Sequence, residues 1–148
     1  MRTITTEIEI EAAPAAVWAV LTDVAAYPEW NPFLREATGR LAVGERPTFR
    51  AHPPGSSPFS LKPRVLAMTP PHELRWIGRL LMPGVFDGEH TFTLTATSDG
   101  HTRLVQAERF TGILVPFTGR LLNNTQAGFV ALNEALKKRV EGLTTARG

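Results

Sequence analysis

The chain has 148 residues, 43% hydrophobic and 20% charged, and carries a formal charge of +2. That length fits one domain with a sizeable core, and so weak a positive balance gives no argument for a nucleic-acid partner. The absence of cysteine excludes disulfides and thiol chemistry and suits the cytoplasm.

Residues 3 to 11 alternate, with Ile4, Ile8 and Ile10 on one face and Glu7, Glu9 and Glu11 on the other. This pattern predicts a half-buried strand. Pro14 suits the first turn of a helix, where its missing N–H costs nothing. Val17, Trp18 and Leu21 follow at helical spacing. Asp23 is placed to cap a second short helix. The stretch DVAAYPEWNPF (23–33) then sets Tyr27 and Trp30 between Pro28 and Pro32. Each proline biases the residue before it, Tyr27 or Asn31, away from helical angles. A sharp corner is expected, with its aromatics under a later helix or at a pocket rim.

From 33 to 111 the signals are strand and turn. The expected strands are 33–41, 46–52, 59–68, 73–81, 86–97 and 101–111. They are separated by Gly44, HPPGSSP (52–58), TPPHE (69–73), MPG (82–84) and SDG (98–100). Leu122, Phe129, Leu132, Leu136 and Val140 then repeat at helical intervals. They predict a long amphipathic helix over about 116–141, ended by Gly142. No run approaches the ~18 apolar residues of a membrane span. The opening MRTITTEIEIEA lacks the apolar core of a secretory signal.

A curved antiparallel sheet wrapped around the last helix would bury both apolar faces. The phrases IEAAPAAVWAVLTDVAAYPEWNPF, LRW, TRLVQAERFTGIL and GFVALNEALKKRVE resemble the START-like (SRPBCC) helix-grip superfamily, in particular its polyketide cyclase/dehydrase-type branch. The resemblance covers nearly the whole chain. It implies a single START-like ligand-binding domain over 1–148, of α+β class. The expected sheet has seven antiparallel strands, with two short helices between strands 1 and 2. Function is implied less narrowly, because this superfamily holds cyclases, hydrolases, lipid carriers and cochaperone-like domains.

In a meander, turns alternate between the two ends of the sheet. Gly44, 69–73 and 98–100 share one tight end; loops 52–58 and 82–85 share a looser one. That loose end gathers Leu81, Met82, Val85 and Phe86 with Ile113, Leu114, Val115 and Phe117. Contiguous apolar residues on loops mark binding sites, so this end reads either as the mouth of a cavity or as a plug. The Tyr27–Trp30 corner is expected there too.

The face of strand 86–97 that carries Phe86, His90, Phe92 and Leu94 is matched on 101–111 by Leu104, Gln106, Glu108 and Phe110. A three-residue loop, Ser98–Gly100 with Gly100 left-handed, pairs Leu94 with Leu104 and Phe92 with Gln106. It sets His90 directly opposite Glu108, with Cβ atoms roughly 5 Å apart. This pair is the candidate for acid–base chemistry, for hydrogen bonding to a ligand, or for a buried structural contact. Ligand contacts are expected from Tyr27, Trp30 and Trp76, from Phe86, Phe92 and Gln106, and from Phe110, Leu114 and Phe117. Gly78 and Gly88 leave room in the wall or allow bends. One of Asn123, Asn124 and Gln126 is a candidate to face the cavity from the long helix.

Other chemistry has no support. His52, His72 and His101 form no HxH or HExxH spacing, so no metal is expected. No phosphate loop, dinucleotide fingerprint or nucleophile elbow occurs, and no cofactor is expected. The first reading is therefore a domain that binds a small hydrophobic or aromatic molecule. The second is a cyclase or dehydratase-type enzyme using His90 and Glu108 as acid and base. The third is a cochaperone-like domain whose apolar loops contact a protein partner.

Overall fold

β1 (Arg2–Ile10) realises the alternation, burying Ile4 and Ile10 and exposing Glu7 and Glu9. α1 (Pro14–Leu21) begins on its proline and buries Val17, Trp18 and Leu21. The computed structural model that describes these elements covers residues 1–80 and 82–147. The last residue of the expected strand 73–81, Leu81, lies outside the described residues.

The corner differs in detail from expectation. Asp23 stands ahead of a 3₁₀ turn at Val24–Ala26, but its side chain makes no capping hydrogen bond. α2 (Tyr27–Trp30) is a single helical turn, and Tyr27 lies at φ −54°, ψ −39° despite the proline after it. Packing overrides that bias. The Tyr27 hydroxyl donates to the Leu21 carbonyl, and its ring stacks on Phe49 with centroids 6.2 Å apart. Asn31 does leave the helix, at φ −83°, ψ 111°. Its Oδ1 accepts the N–H groups of Phe33 and Leu34 at 3.0 and 2.8 Å, which steers the chain into the next strand.

Seven further strands follow: β2 (Leu34–Thr38), β3 (Thr48–Ala51), β4 (Phe59–Leu61), β5 (Arg64–Thr69), β6 (Glu73–Leu80), β7 (Phe86–Ala96) and β8 (Thr102–Thr111). They do not form the expected single seven-stranded sheet. β1-β8-β7-β6-β5 make one antiparallel sheet, and β2-β3-β4 a second, smaller one. The expected strand 59–68 is divided at Pro63. Proline has no N–H for a ladder and restricts the residue before it. Pairing with β3 therefore stops at Leu61, and pairing with β6 begins at Arg64. The expected tight turn at Gly44 is instead a connection over 39–47. It reaches across to β5, where Gly44 N–H donates to the Val65 carbonyl and Val65 N–H to that of Glu45.

A 3₁₀ turn at Val115–Phe117 leads into α3 (Gly119–Arg147). Leu122, Phe129, Leu132, Leu136 and Val140 are all buried against the sheet, as their spacing predicts. Gly142 does not end the helix. It takes no left-handed φ, so the stop signal is absent and the helix tolerates the residue at a cost of about 1 kcal/mol. α3 is pinned along its length. Phe33 lies so close to Gly128 that a Cβ there would collide with the ring. Asn133 bridges Gln106 of β8 and Thr6 of β1 at 2.8 and 2.9 Å. Glu141 accepts the Glu11 backbone N–H at 2.8 Å. Among the described residues, no helix is long and apolar enough to cross a membrane.

Candidate functional site

The β7–β8 hairpin has the register that the loop length predicts. Gly100 is left-handed at φ 77°, Leu94 pairs with Leu104, Phe92 with Gln106, and His90 with Glu108. His90 is 3% exposed, and its Nδ1 lies 2.7 Å from Glu108 Oε1. Its ring is packed by aromatics, with centroids 4.5 Å from Phe92, 4.7 Å from Phe129 and 5.3 Å from Trp76. The other ring nitrogen, Nε2, is buried and has no hydrogen-bond partner among the described residues.

This pair lines a cavity between the two sheets and α3. Trp76, Phe86 and Phe110 form one side, and Phe33, Phe59 and Leu61 another. Leu121, Leu122 and Thr125 come from α3, with the Thr125 hydroxyl turned back to the Leu121 carbonyl at 2.8 Å. Gly78 and Gly88 face each other across β6 and β7 and also line the space. Each bare position has its own reason. A Cβ on Gly88 would collide with Glu108 Oε2, so that glycine seats the carboxylate. A Cβ on Gly78 would meet only Leu61, at 3.8 Å, so that glycine simply leaves space.

Phe59, Leu61, Leu80 and Leu121 are half-exposed and Arg79 is exposed, which marks the mouth. It lies toward the loose end, where Asn124 holds loop 52–58 through Ser56 Oγ at 2.7 Å. The cavity volume is about 70 Å³. That is room for roughly five to seven waters at ~10–15 Å³ each, and less than the about 300–1,000 Å³ of pockets for drug-sized ligands.

The residues expected from sequence divide by position. Trp76, Phe86, Phe110, His90 and Glu108 line the cavity. Tyr27 does not: it is buried behind Phe49, and desolvation, with the charge of Asp23, raises its hydroxyl pKa and keeps it neutral. Trp30 packs edge-on against Tyr27 at 5.4 Å. Phe92 sits behind His90 rather than in the lining, and Gln106 is occupied by Asn133. Leu114 and Phe117 point outward and are not part of the lining. None of the three polar helix residues lines it either: Asn123 is bonded to Arg2, Asn124 to Ser56, and Gln126 is exposed.

Phe33, Phe59, Leu61 and Thr125 line the cavity although the sequence analysis did not expect them there. The alternation of Phe59 and Leu61 was a signal, as was Thr125 at three and four residues from Leu122 and Leu121. Away from the cavity, Glu9, Asp99 and His101 bring potential metal-ligand atoms within 4.8 Å of one another beside the β7–β8 turn. Two of the three side chains are exposed, and His101 lies 3.8 Å from Glu9 as a surface ion pair.

A curved antiparallel sheet gripping a long C-terminal helix around an apolar cavity defines the helix-grip class. The chain belongs to the family described as polyketide cyclase / dehydrase and lipid transport, whose model matches residues 1–141. Among solved structures it is similar to protein MLL2253 from Mesorhizobium loti, at 27% identity and TM-score 0.75, covering 95% of this chain and 97% of that one. It is also similar to the ZhuI aromatase/cyclase from Streptomyces sp. R1128, at 17% identity and TM-score 0.81, covering 99% and 98%. A START superfamily protein from Mycobacterium smegmatis matches at 19% identity and TM-score 0.72, covering 95% and 98%. No curated protein matches the chain in sequence.

Proposed function

We propose that the chain binds a small, ring-containing, largely apolar molecule in the cavity between its sheets and α3. The observation that carries this reading is the cavity itself: a largely aromatic and aliphatic lining that holds the hydrogen-bonded pair of buried His90 and half-buried Glu108. Apolar walls supply affinity, and a few placed polar atoms orient the ligand. His90 Nε2 is buried without a partner among the described residues, and buried polar atoms generally have one. A hydroxyl or carbonyl on the ligand would supply it. The family description and the aromatase/cyclase likeness support an apolar or aromatic ligand. The space of about 70 Å³ favours one ring; a larger ligand requires Phe59, Leu61, Leu80 or Leu121 to move.

Filling the cavity tests this. Gly78→Val places its side chain into open space and should abolish calorimetric binding of single-ring compounds without unfolding the domain. Unchanged affinity in a folded Gly78→Val protein would remove the cavity as the site.

A second reading is an acid–base enzyme of the cyclase or dehydratase kind. The 2.7 Å contact between Glu108 and His90 favours it. Glu108 would fix the ring orientation, leaving Nε2 to take or give a proton to a group bound in the cavity. Its mark is a rate lost in His90→Gln while binding is retained. A substrate turned over equally by wild type and His90→Gln would leave binding as the sole role.

A further inference from the structure

The loose end of the fold carries a surface that the cavity does not use. Loop 82–85 and segment 112–117 lie side by side, with Ile113 N–H donating to the Gly84 carbonyl and Leu114 N–H to that of Val85, at 3.1 and 3.0 Å. Gly112 permits this approach: at φ 120° its bare Cα faces the Val85 carbonyl, where a Cβ would collide. From this platform Met82, Ile113, Leu114 and Phe117 project 64, 72, 36 and 83% exposed, with Pro83 and Pro116 between them. Val115 is buried and anchors the segment. Four large apolar side chains held this far out of the fold on adjacent loops are a contact surface.

The charges around them are mostly positive. Arg79 and Arg120 are exposed, and Arg2 donates to the Gly119 carbonyl on the first turn of α3. That turn holds no acidic residue, although an acid there would be stabilised by the helix dipole. Segments 82–87 and 112–121 carry one acid, Asp87, engaged by the Gly84 N–H at 3.1 Å and by Arg79. The geometry points to an anionic lipid surface as the partner: the apolar tips enter the interface while the arginines meet lipid phosphates. A rigid protein partner would need a pocket for each projecting side chain; a fluid interface adapts to them. The mouth of the cavity, marked by Leu80 and Leu121, opens toward the same end. The docking itself does not depend on what the cavity holds.

Co-sedimentation with vesicles tests it, using phosphatidylcholine alone and an equimolar mixture with phosphatidylglycerol. The intact protein should sediment with the mixed vesicles and more weakly with the neutral ones. Phe117→Glu and Ile113→Glu should each lower partitioning roughly tenfold to a hundredfold, and Arg120→Glu should narrow the difference between vesicle types. Leu143→Glu is the control: it replaces an exposed apolar residue roughly 36 Å along α3 from its start, and it should change nothing. Circular dichroism checks that each variant is folded. No sedimentation with either vesicle, binding that ignores vesicle charge, or full binding by Phe117→Glu and Ile113→Glu overturns the inference. So does a dimer in solution that Phe117→Glu dissolves in a protein without lipid affinity, which would assign the surface to a second copy of the chain.

Discussion

His90 Nδ1 and Glu108 Oε1 stand 2.7 Å apart on directly opposed positions of β7 and β8, and Glu108 Oε2 occupies the space that a Cβ on Gly88 would need. One glycine therefore seats the carboxylate that holds the imidazole. Gly88→Ala should cost about 1–3 kcal/mol, through overpacking and displacement of Glu108. In a Glu108→Ala background the same change should cost less than about 0.5 kcal/mol. Urea unfolding of the four proteins measures the cycle. Equal penalties in both backgrounds would show that Gly88 serves something other than Glu108.

Phe129 is fully buried, packs edge-on against Phe33 at 5.5 Å and lies 4.7 Å from the His90 ring. Phe129→Ala should destabilise by about 3–5 kcal/mol. A loss below about 1 kcal/mol would mean that α3 does not grip the sheet at this point.

Glu141 ties α3 to the end of β1. Desolvation raises its carboxyl pKa, but hydrogen bonds from Lys137 and the Glu11 backbone N–H outweigh it, with help from the charges of Lys137 and His101, and the net shift is below the ordinary 4.5. The folded state thus binds this proton less readily than the unfolded chain. The contribution is complete above about pH 4.5 and is lost as pH falls through the lowered folded value. Glu141→Gln should cost less than about 1 kcal/mol at neutral pH, given solvent screening, and should flatten the acid limb of a stability–pH curve. An acid limb identical to wild type would dismiss the linkage.

The mouth distinguishes two leucines of the loose end. Leu121 belongs to the lining and Leu114 does not. Leu121→Asp should weaken binding of toluene roughly tenfold by placing a charge at the apolar entrance. Leu114→Asp should leave it unchanged. The reverse pattern in a calorimetric titration would move the entrance to the 112–117 segment.

Much of this was legible in the chain, for local reasons. Gly100 and an odd-length loop set the β7–β8 register, and with it the His90–Glu108 contact. The spacing of Leu122, Phe129, Leu132, Leu136 and Val140 marked the buried face of α3. Pro63 was equally visible, but its consequence was not. Whether a proline bends a strand or passes it to another sheet depends on partners far along the chain. Tyr27 failed for a related reason: a local bias of Pro28 yielded to a hydroxyl bonded to Leu21 and a ring stacked on Phe49. The cavity wall from β4 depends on that second sheet, so the alternation of Phe59 and Leu61 marks an inward face without saying which sheet carries it. Polar character proved a poor guide on α3. Asn123 and Asn124 found partners on β1 and loop 52–58, while Thr125 bonded its own helix and faced the cavity.

The space between the sheets and α3 is the proposed seat of a small ring. Titration with phenol, followed by NMR of the aromatic and histidine ring resonances, tests it most directly. Saturable shifts are expected at Trp76, Phe86, Phe110 and His90, and they should be absent in Gly78→Val. Shifts that do not saturate, or that spare these four residues while the fold stays intact, would contradict it.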